Sequence, residues 1–224
     1  MKKILALSLT LILALDVMAC SNATASSNTN SSANVATAIV SDFTTSRYFT
    51  NEAVTESAIE EILNAGINTA SASNKQPWHF AAVANKDVLQ SIEDAVNRRR
   101  EANGQAPLAK PEAGKAVDTS IANVPLLIVV SAEDGAEINA GLATQNMAIM
   151  AQLLGYGTKI ETSPATAIND NIATFGEVLG IPENQKAKTI IKIGKVDTSI
   201  NETVDGFTSA TTRNAFDEMA KLVK

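Results

Sequence analysis

The sequence predicts an α+β or α/β sandwich in which helices flank a single sheet. Two observations lead there. Apolar residues at helical spacing open the folded part, and from Trp78 onward strand-like runs alternate with helical ones. The apolar share of 45% and charged share of 19% are globular values, so the 224 residues can bury a sizeable core.

Val35 to Val40 reads as a short opening helix. Thr55 is a good N-cap, and Ala58, Ile59, Ile62, Leu63 and Ile67 then make one apolar helical face. Ala70 to Pro77 is a small, polar loop, and Trp78 to Ala84 a strand. Lys86 to Glu101 is a helix with Val88, Leu89, Ile92 and Val96 inward. The loop Gly104 to Pro111 leads to a short helix, then to a buried strand, Pro125 to Val130. Glu137 to Leu154 is the longest helix. Its small residues (Ala140, Gly141, Ala143, Ala148, Ala151) allow close approach, so it is central or lies at a dimer interface. Gly155-Tyr156-Gly157 ends it, and Thr158 to Glu161 is a short strand. Ala165 to Leu179 is mostly helical and stops at Gly180-Ile181-Pro182. Lys188 to Gly194 is the last strand. Val204 to Arg213 is a polar loop before a short final helix.

The N-terminus reads as an address. Lys2 and Lys3 precede an apolar run, Ile4 to Leu15, too short to span a bilayer but right for a signal-peptide core. Val17-Met18-Ala19-Cys20 resembles a bacterial lipobox, which implies that residues 1–19 are a signal peptide and that Cys20 is lipidated. An ordinary secretory signal with an incidental cysteine is the simpler alternative. Residues 20–36, rich in Ser, Asn, Thr and Ala, form a tether too polar to bury a core. The expected domains are therefore signal 1–19, tether 20–36 and folded domain 37–224. The location expected is extracytoplasmic, lipid-anchored to a bacterial membrane. Cys20 is the only cysteine, so the domain has no disulfide, thiolate metal site or thiol nucleophile. No metal is expected. The net charge of -6 argues against a nucleic-acid partner.

Three separated stretches resemble the FMN-dependent nitroreductase family. Thr45-Ser46-Arg47-Tyr48-Phe49 is like its Ser-x-Arg-x-Phe opening. Ser71 to Phe80, through Asn74, Gln76, Pro77 and Trp78, is like its Asn-x-Gln-Pro-Trp loop. Asn139 to Met147, followed by Leu154-Gly155-Tyr156-Gly157-Thr158, is like its Gln-Asn helix and Leu-Gly-x-Gly-Thr ending. The resemblance covers about residues 38–222. It implies a three-layer sandwich with a mostly antiparallel central sheet, a homodimer with two FMN sites in its interface, and redox chemistry at flavin N5. The chemistry is then the cofactor's, and no catalytic side chain is expected.

The same resemblance implies roles for particular residues. Arg47 is a cation at the flavin's pyrimidine edge, which favours the reduced, anionic flavin. Thr45 offers a hydroxyl to ribityl or phosphate oxygens. Asn74 and Gln76 supply amides to the ring's polar edge. Glu161 lies in the segment whose backbone N–H faces N5, although Thr162 stands where the family has Gly. Arg213 pairs with the phosphate. Bland readings compete elsewhere: Trp78 and Phe80 as core, His79 as a structural residue, and Arg98-Arg99-Arg100 as a solvated face.

Asp205-Gly206-Phe207-Thr208-Ser209-Ala210-Thr211 resembles the signal at which bacterial FMN transferases join FMN, through its phosphate, to the final threonine. That implies covalent FMN on Thr211, with Thr208 and Thr212 as fallback acceptors. Two departures from the family agree. Phe43 stands near a usual phosphate-binding Arg, and Thr211 replaces a usual Lys. A phosphodiester carries less charge than a free phosphate and needs fewer cations. Export supplies a reason for the bond, since a non-covalent cofactor would be lost by mass action. The expected function is an extracytoplasmic flavin oxidoreductase reducing a small conjugated acceptor (a nitroaromatic, quinone or similar), fed by a membrane redox donor. The alternatives are a flavinylated electron carrier and a redox-inactive ligand-binding lipoprotein.

Overall fold

A computed structural model describes residues 37, 40, 43–109, 120–199 and 214–223. Of the predicted opening helix, only Thr37 and Val40 fall in this set, and both are helical. The signal, tether and Cys20 lie outside the described residues, as do most of the helix expected before Pro125 and the loop 204–213.

Helix α1 (Glu56–Ile67) starts where Thr55 accepts from the Ala58 N–H at 3.3 Å. Strand β1 (Trp78–Val83) follows the polar loop. Helix α2 (Lys86–Ala102) is capped by Asn85, whose Oδ1 accepts from the Asp87 and Val88 N–H groups at 3.0 and 3.1 Å. Strand β2 (Leu126–Glu133) precedes the long helix α3 (Glu137–Leu153). Strand β3 (Gly157–Glu161) comes next. The helical stretch after it is two helices, α4 (Ser163–Asp170) and α5 (Ile172–Val178). They break at Asn171, whose φ of -121° and ψ of 32° are not helical. Strand β4 (Gln185–Gly194) begins three residues before the predicted start, and α6 (Phe216–Met219) closes the described chain.

The four strands form one antiparallel sheet in the order β1-β2-β4-β3. The central strand β2 is buried over seven consecutive residues, Leu126–Ala132, which is why it reads as a continuous apolar run. Alternation sends Leu127 and Val129 to one face, with Ile190 of β4, and Leu126, Ile128 and Val130 to the other, with Ile191 and Ile193. Leu89, Ile92 and Val96 of α2, Ile168 of α4 and Phe175 of α5 cover the first face. Ala58 and Ile62 of α1 and Ala140, Met147 and Ala151 of α3 cover the second. The result is the expected α+β sandwich, a sheet between two helical layers.

Four of the five small residues of α3 are central, while Gly141 is exposed. Ala140, Ala143, Ala148 and Ala151 are fully buried, and Met147 packs so close to Gly66 of α1 that a Cβ there would lie 2.8 Å from its sulfur. The same helix leaves Ile138 and Leu142 largely exposed. Gly157 is a second close approach: a Cβ would come within 2.5 Å of both the Ser46 hydroxyl and the Val196 side chain. Gly157→Ala should therefore destabilise the domain by about 1–3 kcal/mol, read as a lowered melting temperature. Gly141→Ala, which meets nothing within 4 Å, should stabilise it slightly through helix propensity. Equal effects from the two would contradict this packing.

Candidate functional site

Segment 44–49 docks on the outer edge of β3. The Ser46 N–H donates to the Thr158 carbonyl at 2.8 Å. Gln152 of α3 donates its amide to the Thr44 carbonyl at 2.8 Å and to the Thr158 hydroxyl at 3.0 Å. Tyr48 is buried to 1% exposure, and its carbonyl accepts from the Asp197 N–H at 3.0 Å. The Thr50 N–H donates to the Lys195 carbonyl at 2.9 Å, and Phe49 bridges Val196. Thr45 and Arg47, both half-buried, are thus carried on an arm fixed at each flank. The same bonds fix residues 195–197, from which the chain runs on toward 200–213.

Glu161 ends the same edge strand. Its carboxylate lies 2.8 Å from the Lys192 ammonium and 3.0 Å from that of Lys159. Lys192 is wholly buried, and Lys159 and Glu161 expose only 12% and 16% of their side chains. Burial alone pushes the Glu161 carboxyl up, but the charges of Lys192 and Lys159 outweigh it and hold it below the ordinary glutamate value. Burial lowers the Lys192 pKa against the opposing attraction of Glu161. Sequence reasoning passed over this cluster. Its signal was a lysine inside the apolar run Ile190-Ile191-Lys192-Ile193, at a position where neither face is open.

Asn74 and Gln76 lie elsewhere, on the exposed loop entering β1. Ser73, Asn74 and Gln76 have φ of 52°, 54° and 47°, left-handed conformations that cost a non-glycine residue of order 1–3 kcal/mol each. The loop is cross-braced: Ser71 Oγ accepts from the Gln76 N–H at 2.9 Å, and the Gln76 amide donates to Asn74 Oδ1 at 3.2 Å. At its root, the Asn146 amide of α3 donates to the Thr69 hydroxyl at 2.8 Å. So Asn146, in the Gln-Asn helix motif, positions the Asn74 loop. Beside it Leu63, Ile67, Gln76, Trp78, His79 and Phe80 line a cleft of about 310 Å³.

Trp78 departs from the core reading. It is half-buried in that cleft, stacked near Phe80 with centroids 6.1 Å apart, while Phe80 borders the α1/α3 core. His79 places Nε2 3.3 Å from the Leu179 carbonyl, a structural contact. Arg98 and Arg99 are exposed, and Arg99 pairs with Asp170. Larger clefts of about 510 and 490 Å³, at Arg98–Glu101 and at Ile172–Ile181, hold none of the residues assigned to the flavin. Thr211 and Arg213 lie outside the described residues. The structure therefore brings Thr45, Arg47 and Glu161 to one sheet edge and places Asn74 and Gln76 at the other. Among the described residues no cluster of metal-binding side chains occurs, and no helix is long and apolar enough to cross a membrane.

Residues 44–195 match the profile described as the nitroreductase family. The chain belongs to the nitroreductase family. A relative from Archaeoglobus fulgidus, named for NADH dehydrogenase or NAD(P)H nitroreductase, is 26% identical over 149 residues, covering 66% of this chain and 78% of its own. A relative from Methanothermobacter thermautotrophicus with the same name is 25% identical over 155 residues, covering 66% and 70%. Among solved structures, a nitroreductase with bound FMN from Bacteroides fragilis superposes with a TM-score of 0.67 at 18% identity, over 84% of this chain and 98% of that one. One from Desulfitobacterium hafniense, also with bound FMN, gives 0.66 at 18%, with the same coverage. These nitroreductase structures share the fold.

Two outcomes follow from the geometry. Asn146→Ala should cost about 1 kcal/mol in urea unfolding. The double variant with Thr69→Val should cost less than the sum of the two singles, which share one bond, while Thr69→Val separately loses the hydroxyl's bond to the Ala65 carbonyl. Full additivity would contradict the bond. A depressed carboxyl pKa stabilises above the unfolded value and loses that contribution as pH falls through the folded one. Stability should therefore fall below pH 4.5, the ordinary glutamate value, and Glu161→Gln should fall less steeply. Parallel curves would contradict the ion pairing.

Proposed function

We propose that this nitroreductase is an FMN-dependent oxidoreductase working outside the cytoplasmic membrane. It passes electrons to a small conjugated acceptor, with FMN bonded through its phosphate to Thr211. The observation that carries the proposal is the docked arm. The Asp197 N–H bond to the Tyr48 carbonyl, 3.0 Å long, sets Asp197 against the arm that carries Arg47. Thr211 lies 14 residues on from Asp197, ample length to return to that edge.

The donor set suits a mononucleotide flavin. Arg47 would hold the anionic pyrimidine edge, Thr45 a ribityl or phosphate oxygen, and Arg213 the phosphate. The backbone around Glu161 would face the ring, with Asn74 and Gln76 at its polar edge. Bound FMN supplies hydride or electron transfer through N5. The chain's own part is to bind, orient and charge-balance it. For the covalent bond, a flavin dinucleotide is a suitable activated donor. The Thr211 Oγ–phosphorus bond forms as the pyrophosphate bond breaks, AMP leaves and the hydroxyl proton passes to solvent. An FMN transferase would catalyse that step.

What supports a homodimer is the split between the two sheet edges. Three inter-strand spacings of roughly 4.8 Å separate β1 from β3, so Asn74 and Gln76 would serve the flavin held by a second copy's Arg47. The lipobox-like Cys20 supports a membrane tether. Outside the membrane, where NAD(P)H is scarce, a quinol or another flavoprotein would be the donor. The A. fulgidus and M. thermautotrophicus relatives carry names that mention NAD(P)H, so rapid oxidation of NADPH by the purified protein would count against this donor.

The deciding experiment is the mass of the chain made together with an FMN transferase. The peptide containing Thr211 should gain FMN minus water, and Thr211→Val should abolish the gain. An unmodified peptide, under conditions that label a known acceptor, would refute the covalent reading.

A further inference from the structure

We propose that the buried ammonium of Lys192, acting from within the sheet, raises the reduction potential of the flavin held along the β3 edge. This rests on the reading that the strand end at Glu161 faces the flavin. Lys159 and Lys192 are paired across β3 and β4, and alternation puts both, with Glu161, on the sheet face covered by α2 and α4. Two ammonium groups therefore share one carboxylate, at 2.8 and 3.0 Å, at the strand end assigned to the ring. The next charge felt by Lys192 is Glu93 of α2. Its Oε2 is occupied by the Ser120 hydroxyl and by the Ile121 and Ala122 N–H groups, the latter two at 2.7 Å.

Stability does not account for this lysine. Exchanging a buried ion pair for apolar side chains of similar volume is often neutral or stabilising, and Ile190, Ile191 and Ile193 show what this strand otherwise selects. A wholly buried charge differs from a surface one in its reach, because little water screens it. Reduction adds negative charge to the flavin. A fixed positive charge inside the sheet favours the reduced form without touching it. Lys192 is thus a positioning residue in the electrostatic sense: it places a charge.

The test is the reduction potential of bound FMN, followed by spectroelectrochemical titration of the full chain, with Lys192→Met and the double variant Lys192→Met/Glu161→Gln. The single variant should shift the oxidised-to-reduced ratio at a fixed potential about tenfold toward oxidised, which is about 30 mV for a two-electron couple. The double variant removes one charge of each sign and should return to the wild-type value. The charge-keeping variant Lys192→Arg should hold the wild-type potential, which a purely structural role, disturbed by the larger side chain, does not predict. A single variant within twofold of wild type, or a double variant that stays with the single one, overturns the inference. Should Lys192→Met not fold, Lys159→Met removes the other ammonium from the same carboxylate and must lower the potential. A chain that takes up no flavin overturns the reading of the β3 edge, and this inference with it. A chain that takes up flavin with an unmoved potential overturns this inference alone.

Discussion

The structure depends on a central pair of strands, β2 and β4, packed on both faces. β2 is buried along seven residues, and β4 turns Ile190 to one core and Ile191 and Ile193 to the other. Two helical layers are the consequence, since neither face can be left to water. The outer strands inherit the asymmetry. β1 and β3 lie at the sheet's two edges, and among the described residues Thr45, Arg47 and Glu161 gather at β3 and Asn74 and Gln76 at β1. The rigid middle holds the two edges in a fixed relation.

One position in that middle breaks the apolar rule. Lys192 lies wholly inside, and its only tolerable setting is beside a carboxylate. Glu161 is therefore tied to the core by its side chain while its backbone belongs to the sheet edge. Arg47 is fixed differently, by hydrogen bonds on both sides of it in the arm 44–49, and by Gly157, which leaves room for Ser46. The site's rigid part is built from bonds that do not involve the flavin.

Much of this was legible in the sequence, for identifiable reasons. Thr55 capped its helix as predicted because a hydroxyl before an apolar-periodic run satisfies a free N–H. β2 was found because a double-sided strand has no polar alternation. The break at Asn171 is not legible in the sequence, since periodicity continues across it and only the local backbone angles reveal it. Trp78 reads as core by residue type, yet it lines a cleft. Burial of one strand residue depends on whether the strand is central or at an edge, which composition does not encode. The motif residues were found by resemblance, but their division between opposite edges was not, because sheet order is a tertiary property.

On the proposed reading, that division makes a flavin site completed by two copies of the chain. The most direct test uses a chain that also carries Thr211→Val, so that flavin is held by contacts alone, and mixes two defective variants, Arg47→Ala and Asn74→Ala. Each alone should hold flavin poorly, having lost a contact in both sites of the dimer. Co-expressed and purified as mixed dimers, they should recover about half of the wild-type flavin content, because one site receives both intact residues. Mixed dimers that hold no more flavin than either parent would contradict a shared site.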